Sequence, residues 1–157
     1  MQTITPCLWF DTEGEEAANF YTSLFPNSKI REIARYGSAG PRAEGTVMTV
    51  SFELNGQEYV ALNGGPDFKF NEAVSFQVGC ESQEEVDRYW SALSDGGEEG
   101  PCGWLKDKFG LSWQIVPTRL PELLGDPDRD KSQRVMQAML GMRKIEIDGL
   151  ERAAAAA

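Results

Sequence analysis

Two segments decide the fold of this chain: EEAANFYTSL at residues 15–24 and EEVDRYWSAL at residues 84–93. At an offset of 69 both contain an acidic pair followed by apolar residues at positions i, i+3, i+4 and i+7. That spacing places the apolar side chains in one stripe of a helix, and the acidic pair suits the helix dipole. The segments therefore predict two equivalent amphipathic helices, Glu15 to Leu24 and Glu84 to Leu93, and an internal repeat.

Extended segments around each helix complete the repeat. The segments predicted as strands are Ile4 to Phe10, Lys29 to Tyr36, Thr46 to Leu54 and Gln57 to Asn63 in the first copy, and Ala73 to Val78, Gly100 to Leu105 and Leu111 to Val116 in the second. The pair Asn55-Gly56 is a strong hairpin signal, and the second copy repeats that hairpin at an offset of 51. The order β-α-β-β-β therefore occurs twice, and it predicts an α+β fold with mixed sheets.

The 157 residues suit a single domain made of these two modules and a tail. We place module one at residues 1–66, module two at 72–118 and a C-terminal tail at 119–157, with a linker between the modules. Helical spacing in the tail predicts a short turn followed by a helix over Ser132 to Leu140. The acidic run Asp95 to Glu99 is expected to be a solvated helix end and turn.

Alternation along the predicted strands divides their side chains between two faces of a sheet. We expect the aliphatic face to cover the helix of its module, and the polar and aromatic face to line a concave surface. The second face carries Thr5, Cys7, Trp9, Thr49, Ser51, Tyr59, Ala61, Asn63, Ser75, Gln77, Cys102, Trp104, Ser112 and Gln114. Apolar walls with a few hydrogen-bonding groups are typical of a small-molecule pocket.

Composition restricts the chemistry and the partners. Lys and Arg total 15 against 25 Asp and Glu, a net charge of -10, so neither nucleic acid nor a membrane surface is an expected partner. The chain has no histidine, which excludes Ser-His-Asp and Cys-His catalysis. The three cysteines, Cys7, Cys80 and Cys102, are odd in number, widely spaced and never in a C-x-x-C pair, which favours reduced thiols. The N-terminus lacks the pattern of a secretory signal. We therefore expect a cytoplasmic protein.

Four runs of the sequence are similar to a known family: TPCLWFD at 5–11, EEAANFYTSLFPNSKI at 15–30, NGQEYVALNGGPDFKFNEAVSFQV at 55–78 and GGEEGPCGWLKDKFGLSWQIVP at 96–117. Paired β-α-β-β-β modules resemble the vicinal oxygen chelate superfamily, which includes glyoxalase I, bleomycin-resistance proteins and extradiol dioxygenases. The runs resemble its demethylubiquinone methyltransferase-like, or PhnB-like, branch. The resemblance implies a glyoxalase-like fold of curved mixed sheets around a concave pocket, and a homodimer.

The resemblance also implies where a metal would bind. Catalytic members of the superfamily hold a divalent metal at four inward positions, which fall here on Thr5, Asn63, Ala73 and Gln114. One hydroxyl, two amides and a methyl group suit neither a hard cation nor zinc, so we expect no metal and no other cofactor. Methyl transfer of the common type needs a glycine-rich turn between a strand and a helix, whereas the stretch from Asn63 to Pro66 leads into a loop.

The candidate ligand-binding residues are Thr5, Trp9, Tyr59, Asn63, Trp104 and Gln114. Asn63 and Gln114 either orient a ligand or hydrogen-bond each other or a buried water. Trp9 and Trp104 either wall the pocket or pack between modules or subunits.

Two functions remain open at this level. One is a protein that binds a small organic molecule without the superfamily metal. The other is an enzyme of the superfamily: a metal-dependent lyase, isomerase or dioxygenase, or the methyltransferase for which the branch is named. The missing metal ligands favour the first, and no catalytic residue is identified.

Overall fold

The computed structural model describes residues 2–156 and divides the chain into two compact units, the first ending at Phe70 and the second beginning at Asn71. Each unit has a four-stranded mixed sheet and a helix, and the second unit adds three tail helices. These elements confirm the predicted α+β fold class. Within the described residues no helix has the length and hydropathy of a membrane span.

The first unit contains β1 (Cys7–Phe10), α1 (Gly14–Leu24), β2 (Lys29–Arg35), β3 (Val47–Leu54) and β4 (Gln57–Asn63). The strand order is β1-β4-β3-β2, with β1 parallel to β4 and the other pairs antiparallel. Asn55 and Gly56 turn the β3–β4 hairpin with φ of 48° and 82°, the left-handed conformation that a two-residue hairpin turn requires.

The second unit repeats that order with shorter strands. It contains β5 (Ser75–Cys80), α2 (Gln83–Ser94), β6 (Glu98–Glu99), β7 (Trp104–Lys106) and β8 (Ser112–Pro117), and the sheet runs β5-β8-β7-β6. The acidic run predicted as a turn therefore contains an edge strand, β6, which pairs with β7. Two residues are too few for an alternating pattern, so the sequence does not reveal this strand.

Strand β7 begins four residues later than predicted, because the backbone before it turns. Cys102 and Gly103 have φ of 57° and 84°, and their N–H groups donate to the carbonyl oxygens of Met142 and Arg143, both at 2.8 Å. A Cβ at Gly103 would lie 3.1 Å from Ile145, so glycine is needed for this close approach as well. Cys102 therefore lies in a turn held by the tail, and its assignment to a strand face is wrong.

The tail forms three helices, α3 (Arg119–Leu124), α4 (Arg129–Leu140) and α5 (Ile147–Ala155), where only a turn and a helix from Ser132 to Leu140 were predicted. They share a core of Leu120, Leu123, Val135, Ile145, Leu150 and Ala154, against which Met139 and Met142 pack. Gln83, the first residue of α2, connects the tail to that helix. Its side chain donates to the carbonyl of Ile145 and accepts from the N–H of Ile147.

The helix of each unit covers one face of its sheet, and we call the opposite side the far face. In the first unit the covered face carries Leu8, Phe10, Val50 and Phe52; in the second it carries Leu105, Trp113 and Ile115; all are buried. These residues belong to the aliphatic face that alternation predicts.

The predicted face is wrong for β4. The structure pairs Ala61 with both Leu8 and Val50, and Tyr59 with Phe52, so Tyr59, Ala61 and Asn63 lie on the covered face. The cause is a slip of one residue in the alignment of the last strands, and such a slip exchanges the two faces. Trp9 pairs with Leu62 as Gln77 pairs with Gln114, so the counterpart of Gln114 is Leu62 and not Asn63.

Candidate functional site

The far face of the second sheet carries a row of polar side chains. The Gln114 Nε2 donates to the Ser75 hydroxyl at 2.9 Å, and its Oε1 accepts from the Gln77 amide at 3.2 Å. Trp104 is the direct neighbour of Gln114 across the β7–β8 pair. Of the residues predicted for the site, the structure therefore brings Trp104 and Gln114 together on one face.

A cavity of about 480 Å³ opens beside Trp104, and it lies entirely within the second unit. It is lined by Glu72, Glu98, Glu99, Gly100, Pro101, Trp104, Leu105, Lys106 and Ser112. The short edge strand β6 and the turn that precedes β7 shape its rim. Apart from Trp104, the candidates named from the sequence do not line it, although Lys106 and Ser112 follow from Trp104 and Gln114 by strand alternation.

Charged groups in this cavity form a connected set. Lys106 forms an ion pair with Glu72, and a hydrogen bond from Lys106 lowers the pKa of the Glu72 carboxyl. The same hydrogen bond, with the negative charge of Glu98, raises the pKa of Lys106. Glu99 lies opposite Leu105, and its carboxylate accepts a hydrogen bond from the Trp90 indole of α2. With the Glu99 carboxylate bonded to α2, the carboxylates of Glu72 and Glu98 against the one ammonium of Lys106 leave this surface with net negative charge.

Asn63 holds backbone together inside the first unit. It is 6% exposed; its Oδ1 accepts from the N–H of Gly14, the first residue of α1, at 2.8 Å, and its Nδ2 donates to the Val47 carbonyl at 3.2 Å. The Tyr36 hydroxyl donates to the backbone carbonyl of Asn63 at 2.6 Å. The partners of Asn63 belong to the first unit, whereas those of Gln114 belong to the second.

The other candidates lie in packed surroundings of the first unit. The Tyr59 ring stacks on Phe52 at 5.5 Å between centroids, and burial raises the pKa of its hydroxyl. Trp9 lies on the far face, but its indole N–H donates to the Gly65 carbonyl at 2.9 Å and its ring packs over Gly64. Thr5 is half-buried and precedes β1. Tyr59 and Asn63 therefore lie outside the cavity beside Trp104.

A second cavity, of about 590 Å³, lies within the first unit where the β2–β3 loop approaches the start of α1. Its lining includes Thr12, Glu15, Arg35, Arg42 and Asn63. Partners within the unit occupy both guanidinium groups. Arg35 donates to the Gly45 carbonyl at 3.1 Å, and Arg42 lies 3.6 Å from the Asp11 carboxylate.

Of the four positions that the resemblance implies for a metal, two lie in each unit and none carries a charged side chain. Ala73 is exposed and precedes β5, while the amides of Asn63 and Gln114 are hydrogen-bonded as described. Within residues 2–156, no three Cys, Asp or Glu side chains come together as a metal site would need.

The cysteines are free in this structure. Burial, aided by the negative charge of Glu85, raises the pKa of Cys80 to about 11, and burial also raises that of Cys7. Both thiols therefore remain protonated near neutral pH and are weak nucleophiles.

Comparison with known proteins gives a consistent result. The family model described as 3-demethylubiquinone-9 3-methyltransferase matches residues 2–116. Among solved structures, a PhnB protein of Bacillus cereus, also described as a 3-demethylubiquinone-9 3-methyltransferase, is 41% identical with a TM-score of 0.67, over 74% of this chain and 100% of that chain. No curated protein matched the chain.

Two more distant structures are similar in fold. A protein of Pseudomonas aeruginosa is 19% identical with a TM-score of 0.62, over 74% of this chain and 98% of that chain. FosX, a fosfomycin resistance protein of Mesorhizobium loti, is 11% identical with a TM-score of 0.56, over 80% of this chain and 98% of that chain. At such identities the likeness concerns the fold alone.

Proposed function

Because this chain belongs to the 3-demethylubiquinone-9 3-methyltransferase, or PhnB-like, family and has the glyoxalase-like fold of the vicinal oxygen chelate superfamily, we propose that it binds a small organic molecule on the far face of its second sheet. The single observation that carries the proposal is the pairing of Trp104 with Gln114 beside a cavity of about 480 Å³. The indole offers a flat apolar wall, and the amide offers donors and an acceptor.

Methyl transfer is a weaker reading of the family description. The S-adenosylmethionine enzymes of the common type bind their cofactor at a glycine-rich turn between a parallel strand and a helix of a doubly wound sheet. Here both sheets are mixed and four-stranded, and Gly64 and Gly65 follow β4 into a loop instead of a helix. Binding without methyl transfer is the function that this architecture supports best.

We further propose that the protein acts as a cytoplasmic homodimer, without metal, nucleic acid or membrane. Large apolar side chains at the surface support self-association: Phe68 is 65% exposed, Val74 63% and Leu140 61%. The free thiols suit a reducing compartment. Sedimentation of the protein as a monomer at micromolar concentration would argue against the dimer.

The test of binding is a screen of small metabolites by thermal shift, followed by titration of each hit against the wild type and three variants. Trp104→Ala and Gln114→Ala should each weaken binding about tenfold, because each removes a wall or a polar anchor. Trp9→Ala, which removes the far-face tryptophan of the first unit, serves as the control. A hit that binds the wild type and both second-sheet variants equally would place the ligand elsewhere and refute the proposal.

A further inference from the structure

Three polar side chains are buried in the described part of the chain: Asn63, Asp107 and Ser112. Asn63 has the partners described above. Asp107 accepts hydrogen bonds from the N–H groups of Phe109 and Leu111 and from the Trp113 indole. Ser112 differs from both, because it is 1% exposed and its hydroxyl has no partner among the described residues. A buried hydroxyl without a partner is costly, so an external group is expected to supply one.

The position of Ser112 indicates where that group lies. Ser112 lines the cavity beside Trp104, and it lies directly opposite Lys106 in the β7–β8 pair. Trp104 and Lys106 are two residues apart on one strand, so both side chains and that of Ser112 lie on the far face. The hydroxyl without a partner thus belongs to the same surface as the aromatic ring and the charged groups.

The charges on that surface favour a cation. Glu98 pairs with Lys106 across β6 and β7, so its carboxylate lies on the same face as the ammonium. Lys106 forms its ion pair with Glu72 and lies near Glu98 as well, so one ammonium group faces two carboxylates on this surface. An indole face attracts an ammonium group, and a neighbouring carboxylate adds to that attraction.

From these observations we infer that the cavity of Trp104, Glu98 and Ser112 is a subsite for a small organic cation with a hydroxyl or carbonyl group. The cationic group lies between the indole of Trp104 and the carboxylate of Glu98, and the polar group completes the hydrogen bonding of Ser112. The inference rests on the proposed function and specifies the ligand class of that same site.

Three probes of similar size separate the parts of this subsite. Choline has a quaternary ammonium group and a hydroxyl, tetramethylammonium lacks the hydroxyl, and 3,3-dimethylbutan-1-ol has the shape and hydroxyl of choline without its charge. Titrated into the whole protein by calorimetry or NMR, choline should bind about tenfold more tightly than the neutral alcohol. It should also bind about threefold more tightly than tetramethylammonium. Added salt should weaken the binding of choline and leave the affinity for the neutral alcohol unchanged.

Variants of the protein give the matching predictions. Glu98→Gln should weaken choline about threefold to tenfold and leave the alcohol unaffected, and Lys106→Gln should tighten choline by a similar factor. Ser112→Ala should weaken choline to the level of tetramethylammonium, whose own binding should not change. Glu58→Gln, which removes one exposed carboxylate from the first unit, is the control for net charge and should change nothing.

The outcomes separate this inference from the proposed function. Absence of saturable choline binding up to about 10 mM, or equal binding of choline and the neutral alcohol, would overturn the inference. If metabolite hits still lose affinity in Trp104→Ala, the proposed function survives and only the ligand class is wrong. If Ser112→Ala weakens choline and tetramethylammonium equally, the variant has disturbed the sheet. Ser112→Thr, which keeps the hydroxyl, must then restore the preference for choline, or the role of Ser112 is refuted.

Discussion

In the first unit the last strand ends with Asn63, whose amide turns towards α1, whereas the last strand of the second unit presents Gln114 on the far face. The two helices also begin differently. Helix α2 is capped by its own Ser82, which accepts from the N–H of Glu85, while the Glu85 carboxylate accepts from the N–H of Glu81. Helix α1 follows Glu13, which makes no side-chain cap.

The comparison shows how a structural requirement removes a residue from function. Because α1 lacks a cap of its own, the sheet supplies one, and Asn63 is buried in that role. Helix α2 is capped locally, and the β8 residue that corresponds to Asn63 is the buried, apolar Ile115. The two copies therefore share strand order and pairing, while the far face of β4 is aliphatic, with Val60 and Leu62, and that of β8 is polar.

The largest expected effect concerns the two hairpins. The β3–β4 turn depends on backbone conformation at Asn55 and Gly56, whereas the β7–β8 loop is organised around the buried Asp107 carboxylate, which is 2% exposed. Asp107→Ala leaves two backbone N–H groups and the Trp113 indole without an acceptor, and it should lower the free energy of unfolding by about 3 to 5 kcal/mol. Urea denaturation gives the value. A loss below about 1 kcal/mol would show that the loop does not depend on the carboxylate.

The second effect contrasts the two amides directly. Asn63→Ala should destabilise by about 2 to 3 kcal/mol, because the Gly14 N–H and the Val47 carbonyl lose a buried partner. Gln114→Ala, on a half-buried face that water can reach, should cost less than about 1 kcal/mol. Thermal and urea denaturation of both variants measure the difference. Equal losses would mean that the two amides play the same role in spite of their different faces.

The structural elements were predicted correctly where a pattern extends over many residues. The face of β4 was predicted wrongly, because it depends on a register difference of one residue. The ten-residue helix repeat predicted both helices correctly, and the extended segments around them completed the order β-α-β-β-β in each copy. The assignment of Asn63 to the far face depended on the alignment of a short strand, in which Tyr59, Ala61 and Asn63 alternate with Val60 and Leu62 without a clear difference in polarity. Only the hydrogen-bonded register identifies the buried side.

The candidate site follows only in part from the sequence, for the same reason. Trp104 and Gln114 follow from alternation in the second module. The role proposed for Glu98 depends on the two-residue strand β6, and the role proposed for Ser112 depends on a hydroxyl without a partner among the described residues. Neither feature produces a periodic pattern in the sequence. The tail helix α5 was missed although Ile147, Leu150 and Ala154 have helical spacing, because the alanine run at its end was not interpreted as helical.

A third prediction concerns the packing of Trp9, whose far-face position in the first sheet corresponds to that of Gln77 in the second. A Cβ at Gly64 would lie 2.4 Å from the Trp9 ring, so Gly64→Ala should displace the indole and cost about 1 to 2 kcal/mol. The matched control is Gly37→Ala, because a Cβ at Gly37 meets no atom within 4 Å. The melting temperatures of the two variants provide the measurement. Equal melting temperatures would show that Trp9 is not held in place by Gly64.

The smallest effect is a difference in acid sensitivity. Hydrogen bonds from Lys144, Lys131 and Arg119 lower the pKa values of Asp87, Asp126 and Glu151, all in the second unit. Because a carboxyl with a lowered pKa releases its proton more readily in the folded state, its contribution is complete at neutral pH. It is lost as the pH falls from about 5 through the lowered value.

Melting temperatures measured between pH 7 and pH 3 should therefore fall less steeply in Glu151→Gln than in the wild type. Glu58→Gln in the first unit should follow the wild-type profile. A Glu151→Gln profile parallel to that of the wild type would show that the Arg119 pair does not contribute to acid sensitivity.

The hydrogen bonds from Cys102 and Gly103 to Met142 and Arg143 have a consequence for synthesis of the protein. The contacts of the first unit are available once the chain has emerged past Phe70. The turn before β7, by contrast, waits for carbonyl groups made about forty residues later. At ordinary rates of translation roughly 4 to 15 s separate the synthesis of Phe70, which completes the first unit, from that of Arg143. During that interval the first unit is able to fold while the edge of the second sheet is still unfinished.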